Sequence, residues 1–309
     1  MQTMKAFVSP SPGSQRVVLA EVAIPDISDD ELLVRVHAIG VGIHDSYFLP
    51  TDAIFPYPVG IEGAGVIEAV GAKVAGHLVG DRIAFVSSMQ AKGGTWAEFV
   101  AVKNGSLIVP IPHGMDFVSA AAVPVAGNTV LRALRALPPI RAGGSLFVAG
   151  GSGAIGTLAI PLAVRRGWRV GASASAANRG YLLSLGADLA VDYRDPTWPE
   201  QVLAWRPGGV DAALAIQPGT SSASLPVVKD GGSLISISGD ELTRERGIQT
   251  MGVPYGLDVQ QELVEVMADI VRGTLRVELE RVFPFAQALD ALAKVRTRHA
   301  RGKIVLAME

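Results

Sequence analysis

The hydrophobic and polar positions in the first third of the chain predict a β-rich region. Short apolar runs recur at close spacing, and glycine, proline or charged residues separate them. Runs of this length bounded by turn-forming residues are typical of strands. Several short strands in succession favour a small barrel or a sandwich-like domain. The runs lie at residues 32–36, 63–71, 81–86 and 97–102.

The pattern changes near residue 118, where segments with helical composition begin. Residues 127–137 predict a helix that ends at Pro138 and Pro139. Beyond residue 143, short apolar runs alternate with helical segments, which predicts βαβ units around a parallel sheet. The predicted strands lie at 145–149, 168–172, 189–192, 211–216, 233–237 and 302–307, and the predicted helices at 153–166 and 260–273.

These two patterns together predict an α/β fold with two domains. Residues 1–118 form the β-rich domain, and residues 119–258 form a doubly wound parallel-sheet domain of the Rossmann type. Residues 259–309 return to the first domain. A length of 309 residues fits this organisation, because a domain commonly has ~150 residues.

Composition narrows the functional classes. Hydrophobic residues make up 49% of the chain, and the formal net charge of −2 gives no electrostatic reason to expect nucleic acid or an anionic membrane as a partner. The chain contains no cysteine, which excludes disulfides and thiolate-bound zinc. No secretory signal pattern is visible, and no apolar run reaches the ~18 residues that span a bilayer. We therefore expect a cytoplasmic protein.

A glycine-rich segment follows the predicted strand at 145–149. Gly151, Gly153 and Gly156 form the pattern G-x-G-x-x-G between that strand and the predicted helix. In dinucleotide-binding folds the first glycine permits a tight turn, the second lets the backbone approach a pyrophosphate, and the third lets the helix pack on the strand. Amide groups at the start of the helix then face the anion. The alternative, a loop with a packing role only, is less favoured in this context.

The end of the next predicted strand indicates which dinucleotide is bound. An NAD site usually has Asp or Glu there, which binds the ribose 2′-hydroxyl. Residues 169–179 contain no acidic residue. Ser175 and Arg179 can instead hydrogen-bond a 2′-phosphate and neutralise part of its charge, so the pattern favours NADPH over NADH. The alternative role for Arg179 is that of a solvated helix residue.

Five segments, in the correct order, resemble the medium-chain dehydrogenase/reductase superfamily over nearly the whole chain. They lie at residues 58–66, 79–83, 94–99, 185–188 and 302–306. The resemblance implies a GroES-like catalytic domain and a Rossmann domain, with the site in the cleft between them. It also implies a homodimer or a homotetramer.

The resemblance is to the zinc-independent, quinone oxidoreductase-like branch of this superfamily. Zinc-dependent members have Cys at the position of Gly42 and His at the position of Ile61, and their four-cysteine lobe would fall between Phe85 and Gly94. Gly and Ile offer no metal ligand, so we expect no metal. Many quinone oxidoreductases have Asn at the position of Gly42. Its absence here predicts a larger and less polar pocket wall.

The contacts of that branch, carried over by position, predict the residues that bind the cofactor. Those at the pyrophosphate are Ser152, Gly153, Ala154 and Ile155, in the turn that Gly151 and Gly156 complete. Those at the 2′-phosphate are Ser175, Arg179 and Tyr193. Those along the rest of the cofactor are Asn128, Thr129, Ile216, Gln217, Ser238, Gly239 and Lys303.

Four polar side chains are candidates for roles in the chemistry or in its support. Reduction of an enone or a quinone places negative charge on oxygen, so a donor must lie near that oxygen. Tyr47, a pocket tyrosine of the branch, is the first candidate, and a position at the pocket lip is its alternative role. His44 can donate a proton because its ordinary pKa is near neutral, although a structural hydrogen bond is the commoner role. Asp45 is expected to fix its loop through backbone N–H bonds, and Glu62 to form a structural ion pair or hydrogen bond.

The function expected from these features is NADPH-dependent reduction of quinones or α,β-unsaturated carbonyl compounds by hydride transfer to a small-molecule substrate. One alternative is an enoyl-thioester reductase, which needs an open or basic channel for a phosphopantetheine arm. Another is a non-catalytic NADPH-binding protein, because intact cofactor motifs suit a sensor as well as an enzyme. Oxidation of NADPH in the presence of acceptors distinguishes the last alternative from the first two.

Overall fold

The structure, a computed structural model, describes residues 2–87, 90–139, 141, 143–241 and 244–308. The chain divides into two compact units. The first unit comprises Met1–Val125 and Gln260–Glu309, and the second comprises Ala126–Val259. The first division lies later than the change of pattern near residue 118, because the helix that begins at Phe117 packs on strands of the first unit.

The elements follow the predicted alternation, with additional short strands and helices. The strands are β1 (Thr3–Ser9), β2 (Val18–Ala23), β3 (Glu31–Val41), β4 (Tyr57–Pro58), β5 (Glu62–Val70), β6 (Arg82–Val86), β7 (Phe99–Lys103), β8 (Ile108–Pro110), β9 (Ser145–Ala149), β10 (Arg169–Ala174), β11 (Leu189–Asp192), β12 (Val210–Ala215), β13 (Val228–Ser236), β14 (Gln249–Gly252), β15 (Leu279–Pro284) and β16 (Lys303–Ala307). The helices are α1 (Phe117–Ala121), α2 (Pro124–Ala136), α3 (Ala154–Arg165), α4 (Arg179–Ser184), α5 (Trp198–Trp205), α6 (Thr220–Ser224), α7 (Gln260–Val271) and α8 (Ala288–Arg296).

Two sheets form the first unit, as the β-rich pattern predicted. The larger sheet has the strand order β15-β16-β3-β5-β6-β8, and β7 pairs with the first half of β3. The smaller sheet has the order β2-β1-β4. Bulky side chains such as Trp96, Phe85 and Ile39 are fully buried in the core of this unit. Strand β3 is central because it pairs with β5, β7 and β16 over its length, which brings residues near 40, 62 and 303 together.

One parallel sheet forms the second unit, with the order β11-β10-β9-β12-β13-β14. This is the doubly wound order. Strands β10 and β11 are added on one side of β9, and from β12 onward the strands are added on its other side, so the strand order reverses between β9 and β12. Ligands of such sheets bind at the carboxyl ends of the strands at this reversal. The predicted Rossmann arrangement is therefore confirmed, and it places the glycine-rich turn after β9 at the expected edge.

Among the described helices, none combines the length and the apolar character that a bilayer-spanning segment requires.

Candidate functional site

The turn between β9 and α3 takes its shape from Gly150. This residue has a φ of +97°, a left-handed conformation that side-chain-bearing residues rarely adopt. The motif assigns the tight turn to Gly151, and the positive φ of the turn lies one residue earlier. Gly151 is required for space instead. A Cβ atom there would lie 3.1 Å from Ala172 Cβ and 3.1 Å from Leu182 Cδ2.

Gly156 allows α3 to pack directly on this turn. A Cβ atom at Gly156 would lie 2.5 Å from Gly151 Cα and 2.6 Å from the Gly150 carbonyl oxygen. Both are backbone atoms, which have no room to move aside. The close approach of helix and turn therefore depends on glycine at this position, in the role that the motif predicts for it.

The start of α3 is open to a ligand. Gly153 is the N-cap residue, its backbone is extended, and no side chain caps the helix there. Nothing lies nearer than 3.9 Å to the position of a Cβ atom on Gly153. The amides of Ala154 and Ile155 are among the first N–H groups of the helix, which have no partner within it. Together with Ser152 in the turn, they form a cradle of the kind that binds a phosphate group.

Ile216 and Gln217 lie beside this cradle, directly after β12. The Ile216 amide donates to the Ala149 carbonyl at 3.1 Å, which fixes the end of β12 against the end of β9. Gln217 Cγ lies 3.1 Å from the position of a Cβ atom on Gly150. These two predicted contacts are thus brought together with the glycine turn at the point where the strand order reverses.

Ser175, Arg179 and Tyr193 meet at the carboxyl ends of β10 and β11. The Tyr193 amide donates to the Ala174 carbonyl at 3.2 Å, and Arg179 Nε donates to the Ala190 carbonyl at 2.8 Å. Ser175 Oγ accepts from Asn178 Nδ2 at 3.3 Å. Within the described residues, the terminal nitrogens of Arg179 donate no hydrogen bond, although the Arg179 charge helps to lower the pKa of Asp195.

Arg194 is a second cation at this position that the sequence reasoning missed. Its guanidinium lies over the Tyr193 ring, 5.3 Å from the ring centroid. A basic residue directly after the predicted contact Tyr193 was the signal that could have revealed it. Arg194 adds positive charge where a 2′-phosphate is predicted.

Ser238 and Gly239 follow β13 in a loop that Asp240 fixes. The Asp240 carboxylate accepts from the Gly219 amide at 3.0 and 3.1 Å and from the Ser221 amide at 3.2 Å. Ser238 Oγ lies 3.4 Å from Ser236 Oγ. The loop is thereby held at the same carboxyl edge of the sheet as the glycine turn.

Asn128 and Thr129 are buried on α2. Asn128 Oδ1 accepts from a terminal nitrogen of Arg132 at 2.7 Å, and Arg132 Nε donates to the Leu257 carbonyl at 2.8 Å. The orientation of the Asn128 amide is therefore set by a neighbour one helical turn away. All the cofactor candidates except Lys303 belong to the second unit, whereas Lys303, Tyr47 and His44 belong to the first.

Asp45 is buried in the first unit and fixes its own loop, as expected. Its Oδ2 atom accepts from the Gly42 amide at 2.9 Å and from Trp96 Nε1 at 3.0 Å. Burial raises the pKa of Asp45 to about 7, although the Gly42 hydrogen bond and the charge of Lys303 lower it. The carboxyl group is therefore partly protonated near neutral pH.

Glu62 and Lys303 form a buried ion pair. Lys303 Nζ donates to Glu62 Oε1, and both side chains are almost fully buried. Glu62 Oε2 also accepts from the Val125 amide at 2.7 Å. The expected structural role of Glu62 is confirmed. The ammonium group of Lys303 is held by this carboxylate, and its contact with a cofactor stays a prediction.

Tyr47 and His44 lie on the surface of the first unit. About half of the Tyr47 side chain is exposed, and its ring meets the His44 ring edge-on, with centroids 5.5 Å apart. Burial, and then the charges of Arg298 and Lys303, lower the pKa of His44. The neutral imidazole consequently prevails at pH 7, which makes His44 a poorer source of protons than the sequence suggested.

A surface pocket of about 360 Å³ adjoins Tyr47. None of the residues around it carries a charge, so its walls favour a neutral group. The lining residues are Pro12, Gly13, Ser14, Gln15, Tyr47, Leu49, Pro50, Thr51, Ala53 and Phe55.

The described residues offer no group of side chains suited to a metal ion. Within the described ranges, no three His, Cys, Asp or Glu side chains lie close enough together to hold a metal ion. Gly42 and Ile61 stand at the positions where the resemblance implies zinc ligands, and neither has a ligating atom. The residues present do not fit a catalytic zinc ion.

Two family models match the chain. The model described as "Alcohol dehydrogenase GroES-like domain" matches residues 28–113, and the model described as "Zinc-binding dehydrogenase" matches residues 185–306. The first lies in the unit that contains Asp45 and Tyr47. The second begins within the second unit and continues to β16.

Relatives of known activity match nearly the whole chain. NADPH-dependent alkenal/one oxidoreductase from Arabidopsis thaliana is 30% identical, covering 98% of this chain and 79% of that protein. Quinone oxidoreductase from Sus scrofa is 26% identical, covering 93% of this chain and 92% of that protein.

Solved structures agree with the fold. The quinone oxidoreductase from Coxiella burnetii has a TM-score of 0.87 at 24% identity and covers 100% of both chains. A probable oxidoreductase from Mycobacterium abscessus has a TM-score of 0.83 at 26% identity and covers 99% of both chains.

Proposed function

Because this chain belongs to the medium-chain dehydrogenase/reductase superfamily, in its quinone oxidoreductase-like branch, we propose that it is an oxidoreductase that uses NADPH without zinc. Its substrates are quinones or α,β-unsaturated carbonyl compounds, in line with the activities for which the Arabidopsis thaliana and Sus scrofa relatives are named. The observation that carries the proposal is the open glycine turn between β9 and α3, combined with Ser175 and Arg179 after β10 in a segment, residues 169–179, that contains no acidic residue.

The turn supports binding of a pyrophosphate. The uncapped start of α3 offers backbone N–H groups, and the helix dipole adds positive potential at this end. Gly153 leaves space for the phosphate oxygens to approach the backbone, since no atom lies within 3.9 Å of its Cβ position. The residues present therefore fit the dinucleotide.

The end of β10 supports a preference for the 2′-phosphate. A carboxylate at this position would repel it, and residues 169–179 contain none. The Arg179 fork suits a phosphate because a guanidinium donates two parallel hydrogen bonds to it. Ser175 adds a hydroxyl donor, and Arg194 adds charge through its position on Tyr193.

When bound, the nicotinamide supplies the hydride, so the protein needs no metal and no nucleophile. The task of the chain is to orient the reactants and to stabilise the negative charge that forms on the substrate oxygen. We assign the Tyr47 hydroxyl as a hydrogen-bond donor to that oxygen. The uncharged pocket beside Tyr47 favours neutral acceptors over phosphorylated thioesters.

The proposal is tested by NADPH oxidation with a panel of quinones and enones, before and after treatment with a chelator. We expect turnover with at least one acceptor, and the same rate after chelation. Binding of NADPH without turnover of any acceptor would favour the non-catalytic alternative. Turnover of enoyl thioesters alone would favour the thioester reductase, and loss of activity to the chelator would contradict zinc independence.

A further inference from the structure

Gly42 leaves an open space beside one oxygen of a buried carboxyl group. A Cβ atom at Gly42 would lie 3.0 Å from Asp45 Oδ1, whereas it would lie 3.9 Å from Oδ2. The Cβ atom of any side chain at position 42 would therefore be in contact with Oδ1. In this chain that contact is missing, and Oδ1 faces the space that a side chain would fill.

The two oxygens of Asp45 have different environments. Oδ2 accepts from the Gly42 amide and from Trp96 Nε1, which fixes the carboxyl plane. Within the described part of the chain, Oδ1 accepts no hydrogen bond. Asp45 is 2% exposed, and the space beside Gly42 lies next to Oδ1 rather than Oδ2.

Charged groups around Asp45 contribute little to its raised pKa, which burial sets. Lys303 on β16 favours the carboxylate, and Glu62 at the start of β5 opposes it. These two are paired with each other, so their net field at Asp45 is small. His44 is the titratable neighbour on the same loop, and its lowered pKa keeps it neutral at pH 7. Desolvation is therefore the largest influence on Asp45.

We propose that Asp45 is a catalytic acid that delivers a proton from Oδ1, through the space beside Gly42, to the oxygen of the reduced substrate. This rests on the proposed function, whose hydride supplies both electrons. The O–H bond at Oδ1 breaks, and a new O–H bond forms on the enolate or hydroquinone oxygen. Asp45 is left as a carboxylate, which takes a proton from solvent before the next turnover. The hydrogen bonds that Oδ2 accepts from the Gly42 amide and from Trp96 Nε1 hold the carboxyl group in one orientation throughout.

The direct test is Asp45→Asn, which keeps the shape of the side chain. The amide oxygen can replace Oδ2 as the acceptor for Gly42 and Trp96, so the loop is expected to keep its structure. An amide cannot release a proton, so kcat should fall by about 100-fold, within the range of general acid catalysis. Binding of NADPH should be unchanged. The kcat of the unaltered protein should decline as pH rises through about 7, because the acid must be protonated, and that decline should vanish in the variant.

Gly42→Ala provides a second variant that leaves Asp45 in place. Its Cβ atom would crowd Oδ1 at 3.0 Å, so proton delivery should weaken although the carboxyl group still titrates. Infrared difference spectra should show the protonated Asp45 carbonyl band near neutral pH in this variant and in the unaltered protein, and not in Asp45→Asn. Asp52→Asn is the matched control, because Asp52 is an exposed carboxylate of the same segment.

The outcomes separate the two levels of the proposal. If the unaltered protein turns over no acceptor, both the proposed function and the role of Asp45 are overturned. If the unaltered protein turns over an acceptor and Asp45→Asn matches its kcat and pH profile, only the role of Asp45 is overturned. The same conclusion follows if Gly42→Ala is fully active, or if no protonated Asp45 band is found.

Discussion

At the scale of single residues, Asp45 links stability to pH. Its pKa is raised from an ordinary 3.8 to about 7 in the folded chain, mainly by burial. The folded state therefore favours the protonated form. Protonation of Asp45 therefore adds to the free energy of unfolding. This contribution is fully present below about pH 4 and is lost as pH rises through about 7.

This linkage predicts that Asp45→Asn gains stability relative to the unaltered protein as pH rises. A shift of this size corresponds to about 4 kcal/mol between pH 4 and pH 7.5, at 1.36 kcal/mol per unit of pKa. Urea unfolding of both proteins at the two pH values measures the change. A stability difference that does not vary with pH would show that Asp45 titrates normally, and Asp52→Asn serves as the control.

Tyr47 has a separate, pH-independent role in this account. Tyr47→Phe removes the hydroxyl that is proposed to stabilise the substrate oxygen, so kcat should fall about tenfold or more. Because Asp45 would still deliver the proton, the decline of kcat near pH 7 should remain. Steady-state kinetics across pH measure both features. An unchanged kcat would remove Tyr47 from the mechanism and leave it as a residue at the pocket lip.

At the scale of elements, the turn between β9 and α3 contains one glycine that leaves space for a ligand, Gly153, and one that allows close packing of the helix, Gly156. Gly153→Ala adds a Cβ atom whose nearest neighbours lie at an ordinary contact distance of 3.9 Å, so the free energy of unfolding should change by less than about 1 kcal/mol. The same methyl group would occupy the path of a phosphate, and NADPH affinity should fall at least tenfold, or about 1.4 kcal/mol. Thermal unfolding and NADPH titration measure the two effects. Unchanged affinity would contradict the phosphate site.

Gly156→Ala should lower both the free energy of unfolding and the affinity for NADPH. Its Cβ atom would meet backbone 2.5 Å away, and overpacking of this kind costs about 1–3 kcal/mol. Gly180→Ala in α4 is the matched control, since nothing lies within 4 Å of its Cβ position. Stability of that control should be equal to or above that of the unaltered protein. Equal stability of Gly156→Ala would mean that α3 does not depend on close packing at the turn.

The elements differ in how far local sequence predicts them. The parallel strands β9 to β13 and helix α3 follow from apolar runs with glycine turns, which are local signals. Strand β2 alternates between half-buried and exposed positions, so its apolar signal is weak and the sequence pattern missed it. The positive φ at Gly150 depends on the exact path of the turn, which the motif alone does not specify.

The chemistry of the first unit was harder to predict because its contacts are remote in sequence. Asp45 meets Trp96 51 residues away, and Glu62 meets Lys303 241 residues away. Identity and spacing of these residues carry no sign of the contact. The resemblance indicated that position 42 is unusual, but only the geometry relates the missing side chain to Asp45 Oδ1.

At the scale of the whole molecule, the β14 edge of the six-stranded sheet bears on assembly. Strand β14 is one edge of that sheet, and its residues are mostly exposed. An unpaired edge can pair with a second chain. We expect a homodimer or a homotetramer, with a mass in light scattering of twice or four times 32.2 kDa. A mass of one chain at micromolar concentration would contradict this expectation.

Recognition of the 2′-phosphate is the property on which the proposed function depends most. The most direct measurement is the dissociation constant of NADPH and of NADH, for the unaltered protein and for Arg179→Ala, with Arg16→Ala as a control of equal charge. We predict that NADPH binds at least tenfold more tightly than NADH, as one charge-assisted contact worth about 1.5–3 kcal/mol requires. Arg179→Ala should remove most of that preference and leave NADH binding unchanged. Equal binding of the two dinucleotides, or tighter binding of NADH, would contradict the account.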